Sequence, residues 1–138
     1  MKRGTILTAA VTVAVTGLLA LVGCGGGGTS ANGKTFGVKD SDIQAKVGDR
    51  FVIELESNAT TGFQWGISGS LDPSVVTKVS STYVAGPNAR KQVGAGGSER
   101  WTFKAVGKGT AKIVMTYAQP WEKTARPART ATFNLTVR

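Results

Sequence analysis

The feature that most constrains this chain is a period of two in its apolar residues. Phe51, Ile53 and Leu55 alternate with Val52, Glu54 and Glu56. That gives one apolar and one partly charged face, the pattern of a half-buried strand. Trp101, Phe103 and Ala105 alternate in the same way with Arg100, Thr102 and Lys104. So do Ala111, Ile113, Met115 and Tyr117, and then Ala131, Phe133, Leu135 and Val137 against Thr130, Thr132, Asn134 and Thr136. Shorter strands are expected over Ile43 to Val47, Phe63 to Ile67 and Val75 to Tyr83. Turn residues punctuate them at Gly48-Asp49, Asp72-Pro73-Ser74, Gly86-Pro87-Asn88 and Gly107-Lys108-Gly109. Lys108 between two glycines predicts a tight hairpin. No window repeats apolar residues at i, i+3, i+4 and i+7, so no amphipathic helix is expected. About seven or eight short strands at this spacing predict an all-β fold, an antiparallel β-sandwich with immunoglobulin-like packing. Its core is expected to rest on Phe51, Trp65, Trp101, Phe103 and Phe133.

What the chain lacks narrows its chemistry. Its 138 residues include no histidine and a single cysteine. Without His there is neither the usual general base of Ser-His and Cys-His catalysis nor the commonest transition-metal ligand. One Cys allows no intramolecular disulfide and no thiolate zinc cluster. Asp40, Asp42, Asp49, Glu54, Glu56 and Glu99 form no recognisable acid–base pair. The chain is therefore expected to be no enzyme and to carry no cofactor and no metal. Its formal charge is +9, from 17 Lys and Arg against 8 Asp and Glu. The cations are scattered along strands and loops instead of clustered, which argues against a nucleic-acid partner. They fit solubility, attraction to anionic lipid, or steering toward an acidic partner.

The N-terminal residues read as an address. Lys2 and Arg3 precede an uncharged, mostly apolar run from Thr5 to Gly23, the plan of a secretory signal. The run is also just long enough for a spanning helix, which needs about 18–20 apolar residues. Leu21-Val22-Gly23-Cys24 favours the signal reading, because it resembles a bacterial lipobox, whose Cys becomes the lipidated first residue of the mature chain. The expected division is a lipoprotein signal peptide over 1–23, a lipidated Cys24 with a glycine-rich tether over 24–33, and one sandwich domain over 34–138. The tether glycines are not a phosphate loop, since no Gly-Lys-Ser/Thr follows and no strand precedes them. The protein is expected in the cell envelope, lipid-anchored outside the cytoplasm on its periplasmic or extracellular face. Loss of Lys2 and Arg3 leaves 15 cations against 8 acids, a charge of +7.

Three segments are not explained by the strand pattern. Asn58-Ala59-Thr60-Thr61-Gly62-Phe63 joins two good strands. Gly62 can take positive φ, and two threonines stiff at χ1 lose little entropy on docking. Val93-Gly94-Ala95-Gly96-Gly97 opens the strand that carries Trp101. It lacks the helix that a dinucleotide site requires. Gln119-Pro120-Trp121-Glu122-Lys123 places a tryptophan in a loop stiffened by proline, where no periodicity implies burial. A rigid exposed Trp is a typical interface anchor. Each segment also has a plainer reading: a polar connection, a flexible hairpin approach, and a Trp folded back over the end of the core.

Asn58-x-Thr-Thr-Gly62-Phe63-x-Trp65, then a glycine-rich loop before an aromatic strand, then Pro120-Trp121 before the last strand, resembles the chagasin family. These are proteinaceous inhibitors of papain-like cysteine peptidases. The resemblance spans Ile43 to Arg138. It implies an immunoglobulin-like sandwich whose three loops at one end form a wedge that occludes the peptidase cleft. By position, Asn58, Ala59, Thr60, Thr61, Gly62 and Phe63 enter the cleft, with Thr60 and Thr61 nearest the catalytic Cys. Gly94, Ala95, Gly96 and Gly97 form one flank, and Gln119, Pro120 and Trp121 the other. Two departures stand out. Ala59 replaces the proline usual in the family, which removes a source of pre-organisation. Gln119 replaces a common arginine, which removes an ion pair. The expected partner is a papain-like cysteine peptidase, bound by a monomer. The alternative is a structural or adhesive surface module that binds a glycan or protein, since one fold serves many roles.

Overall fold

The computed structural model describes residues 30–138; the signal segment and Cys24 lie outside the described residues. Eight strands alternate with turns: β1 (Thr35–Phe36), β2 (Asp42–Ala45), β3 (Arg50–Ser57), β4 (Gln64–Ile67), β5 (Val76–Ala85), β6 (Gly97–Ala105), β7 (Gly109–Ala118) and β8 (Arg129–Val137). They build two four-stranded sheets, in the orders β1-β3-β6-β5 and β2-β8-β7-β4. The apolar residue of each alternating pair faces the other sheet. Phe51, Ile53 and Leu55 of β3 and Trp101, Phe103 and Ala105 of β6 are buried. They meet Ile113, Met115 and Tyr117 of β7 and Ala131, Phe133, Leu135 and Val137 of β8. Phe51 and Phe103 stack with centroids 5.8 Å apart. Each large aliphatic or phenylalanine side chain among them contributes about 1.5–3 kcal/mol when removed from water, which is what holds the two layers face to face.

The immunoglobulin-like sandwich is thus present, and its long pairings are antiparallel. Two short edge pairings are parallel: β1 on β3 and β2 on β8. Both belong to one N-terminal segment that lies first along the edge of one sheet and then along the edge of the other. The expected hairpin at Gly107-Lys108-Gly109 is corrected, because β6 and β7 belong to different sheets and residues 106–108 cross between layers. The glycines answer a close approach instead. A Cβ on Gly107 would collide with the Ser74 carbonyl, and Gly109 has φ +144°.

Connectivity sorts the loops by pole. The turns 46–49, 68–75 and 106–108 all cross between sheets at one end. The connections 58–63, 86–96 and 119–128 all lie at the other end.

The far end of the expected tether is also corrected, because Ser30 to Gly33 belong to the folded domain. Ala31 is fully buried. Asp49, in the turn at the first pole, accepts hydrogen bonds from Ser30 Oγ (2.8 Å), Ala31 N (3.0 Å) and Lys46 N (2.8 Å). Asn32 Oδ1 accepts from Arg50 N, and Gly33 N donates to Arg50 O. A polar, glycine-bearing stretch docks because one carboxylate collects its donors. Burial raises the pKa of Asp49, but the three hydrogen bonds and the nearby Lys46 charge outweigh burial and hold it below the ordinary carboxylate value.

Asp49→Ala strips three donors of their acceptor and is expected to cost about 1–3 kcal/mol in thermal unfolding at neutral pH. Because the folded-state pKa is depressed, this stabilisation is complete above about pH 4 and fades as pH falls through the depressed value. Melting curves of the wild type and Asp49→Ala should therefore converge at low pH; an unchanged gap between them at pH 2 contradicts this role.

Candidate functional site

The loop pole is organised around Asn58. It follows β3 in extended conformation (φ −125°, ψ 98°) and caps a 3₁₀ turn at Ala59–Thr61, its Oδ1 accepting from Thr60 N. The same oxygen accepts from Thr60 Oγ1 at 2.6 Å, and the Asn58 carbonyl accepts from Thr61 Oγ1 at 2.7 Å. Asn58 N donates to the hydroxyl of Tyr117, 2.9 Å away. The turn ends at Gly62, in the left-handed region at φ +76°. This is the residue type and position that such a stop requires.

The three loops touch. Asn58 Nδ2 donates to Gly94 O at 2.9 Å, joining the first to the glycine-rich loop. Gln119 Nε2 donates to Thr61 O at 3.3 Å, joining the first to the Pro-Trp loop. The Trp121 indole covers Gly62 so closely that a Cβ there would lie 2.5 Å from Cη2. Trp121 is nonetheless 64% exposed, so the edge of its six-membered ring abuts the turn while most of the indole stays open to solvent. Thr60, Thr61 and Ala59 are exposed beside it.

Not every sequence-selected residue is presented outward. Phe63 turns inward and stacks on Tyr117 at 5.4 Å. Gly97 is the first residue of β6, paired with Ser57 and Ala85, so it belongs to the ladder instead of the loop. A Cβ on it would collide with the Val84 carbonyl. The remaining glycine-rich stretch, Gly94 to Gly96, includes Gly94 at φ +83°.

Two residues that the sequence reading did not select support the site from beneath. Glu99 accepts from Ser57 Oγ (2.8 Å) and Trp65 N (3.1 Å) through Oε1, and from Trp101 Nε1 (3.2 Å) through Oε2. It ties the end of β3 and the start of β4 to β6, across the mouth of the first loop. Its signal was in the alternation: Glu99 falls in register with Trp101, Phe103 and Ala105, a carboxylate on an otherwise apolar face. Tyr117 is the second, at 7% exposure. It packs on Phe63 and Trp65 while its hydroxyl holds Asn58 N. A pocket of about 280 Å³ lies between Gly62, Phe63 and Gln64 on one side and Ser81 to Tyr83 of β5 on the other. Among the described residues there is no cluster of three or more His, Cys, Asp or Glu side chains suited to a metal ion.

At the centre of the pole the 58–63 turn is therefore stiff, uncharged and braced on both sides. Residues 44–137, which include all three loops, match the family described as chagasin family peptidase inhibitor I42. The chain belongs to the chagasin family. It is 38% identical to chagasin of Trypanosoma cruzi over 83 residues, 57% of this chain and 73% of that protein. It is 30% identical to amoebiasin-2 of Entamoeba histolytica over 90 residues, 65% of this chain and 72% of that one. Its fold is similar to that of the cysteine protease inhibitor EhICP2 from Entamoeba histolytica. There the TM-score is 0.67 at 25% identity, covering 76% of this chain and 95% of the other. PbICP-C, solved in complex with falcipain-2, shares the fold at a TM-score of 0.55 and 19% identity over 82% and 95% of the two chains. Against the family pattern, Gln119 keeps a loop-to-loop hydrogen bond without the charge of an arginine. Ala59 sits at the first position of the 3₁₀ turn, where proline fits without losing a needed donor.

Two substitutions on this turn are expected to act in opposite directions. Ala59→Pro meets a suitable φ and follows an extended residue, so it should stabilise by about 0.4–1 kcal/mol. Gly62→Ala forces a Cβ into the left-handed region and against Trp121. It should cost about 1–2 kcal/mol and shift the Trp121 fluorescence. Thermal melts with emission spectra check both, and a neutral Gly62→Ala contradicts the close packing of the indole.

Proposed function

We propose that this chain is a reversible, tight-binding inhibitor of papain-like cysteine peptidases, and that its three-loop pole plugs the active-site cleft. The observation that carries the reading is the bracing of the Asn58–Gly62 turn by both neighbouring loops. An occluding inhibitor needs no nucleophile, base or metal; it needs a surface already in its bound shape. Ordering a flexible side chain at an interface costs about 0.5–1.5 kcal/mol. Thr, Gly, Pro and a pre-seated Trp avoid most of that cost, and their hydrogen bonds within the pole are made before any partner arrives. Thr60 and Thr61 form the tip that approaches the catalytic Cys. Gly94 to Gly96 and Gln119 to Trp121 bear on the two sides of the cleft, with the exposed Trp121 indole as the main apolar anchor.

The same proposal includes attachment to the cell envelope through a lipidated Cys24. In support, Ser30 to Asn32 are latched beside Asp49, at the pole opposite the loops. The chain thus enters the domain at the far end from the wedge. Six residues of backbone reach at most about 20 Å, which holds that pole near the bilayer and directs the wedge away from it.

Titration of a papain-like peptidase with the soluble domain should give stoichiometric inhibition that reverses on dilution. No inhibition of several such peptidases by a demonstrably folded domain contradicts the reading. Trp121→Ala should raise the dissociation rate about tenfold with little change in association; an unchanged dissociation rate removes the indole from the contact. The full-length protein expressed in bacteria should incorporate labelled palmitate, and Cys24→Ser should abolish the label. A wild-type chain that stays in the membrane fraction unlabelled argues for an uncleaved anchor instead.

A further inference from the structure

The surplus positive charge is unevenly placed among the loops. At the wedge pole, loops 86–96 and 119–128 carry Arg90, Lys91, Lys123 and Arg126 against one acid, Glu122. All four cations are exposed. Among the described residues the ion pairs are Arg100–Glu54 and Arg129–Glu56, and none of the four takes part in one. The turns of the opposite pole balance, with Lys46 and Lys108 against Asp49 and Asp72. Between the two cationic loops lies the 58–63 turn, which has no ionisable side chain. The pole is thus neutral at its tip and positive on both flanks, and hydrogen bonds from Asn58 and Gln119 hold those flanks against the tip.

We infer that the peptidase this chain is built to block carries carboxylates on both rims of its cleft, and that Arg90, Lys91, Lys123 and Arg126 select it by speeding association. This rests on the inhibitor reading above. The neutral tip fits the floor of a cleft, where an unpaired buried charge is costly. The flanking cations stay at the solvated rim, where charge changes the on-rate more than the off-rate. An anionic lipid surface fits less well, because the cations bracket a neutral turn and the N-terminal entry is at the other pole.

The test uses stopped-flow association with a papain-like peptidase bearing acidic residues on both rims, and with the same enzyme after those residues are replaced by amides. The partner variant of the inhibitor combines Arg90→Gln, Lys91→Gln, Lys123→Gln and Arg126→Gln; all four sites are exposed, and matching thermal melts establish that it folds. Between about 20 and 300 mM NaCl, where screening shortens from tens of ångströms to a few, the wild-type association rate with the acidic enzyme should fall at least tenfold. The variant should associate about tenfold more slowly at low salt, with a flattened salt dependence and a dissociation rate within about twofold of wild type. The amide enzyme should abolish the difference between the two chains. Equal salt slopes for wild type and variant, or equal rates on the two enzymes, overturn this inference while leaving inhibition in place. Absence of inhibition at every salt concentration takes down the inhibitor reading and this inference together. Binding of the wild type alone to phosphatidylglycerol vesicles, with salt-independent peptidase association, overturns it in favour of a membrane role for the same cations.

Discussion

Asn58 uses every hydrogen-bonding group it has. Its N–H goes to Tyr117, its carbonyl receives Thr61, its side-chain oxygen receives the N–H and hydroxyl of Thr60, and its amide nitrogen reaches Gly94. One residue therefore sets the shape of the first loop, anchors it to the core and fixes its distance from the second. A residue with fewer groups could not do all three, and a loop without this convergence would sample many shapes. The remaining brace comes from the other side, where Gln119 and Trp121 close on Thr61 and Gly62.

This pole depends in turn on the sheets. The loops meet because β3, β5 and β7 all end at the same pole, and the apolar faces of β3, β6, β7 and β8 keep the two layers in contact. Glu99 joins the two levels. It is a carboxylate at the end of an apolar row, with donors from Ser57, Trp65 and Trp101 meeting both of its oxygens. Charge-assisted hydrogen bonds of this kind are stronger than neutral ones, and they hold the mouth of the first loop at a fixed width.

Much of this was legible in the sequence. Strict alternation marked β3, β6, β7 and β8 because each buries one face only, and period two reports that directly. The three loops stood out as departures from it. What the sequence concealed were effects of pairing at a distance. Gly107-Lys108-Gly109 has the composition of a hairpin, yet it crosses between sheets, because the close approach of Ser74 requires glycine as much as a tight turn does. Ser30 to Gly33 have the composition of a linker, yet they dock, because the Asp49 carboxylate lies within reach of their donors. Gly97 and Phe63 carry the family pattern, yet one belongs to a ladder and the other to the core. Glu99 was visible only as a residue out of keeping with its register.

The central claim is that the loop pole, and no sheet face, is the surface this chain offers to a peptidase. Amide hydrogen exchange of the free domain and of its complex with an inactivated papain-like peptidase tests it most directly. The account predicts added protection confined to residues 58–63, 94–96 and 119–121, with the strands and the Asp49 pole exchanging as before. Protection centred on the β5 edge or on the opposite pole, with the 58–63 amides unchanged, would contradict it.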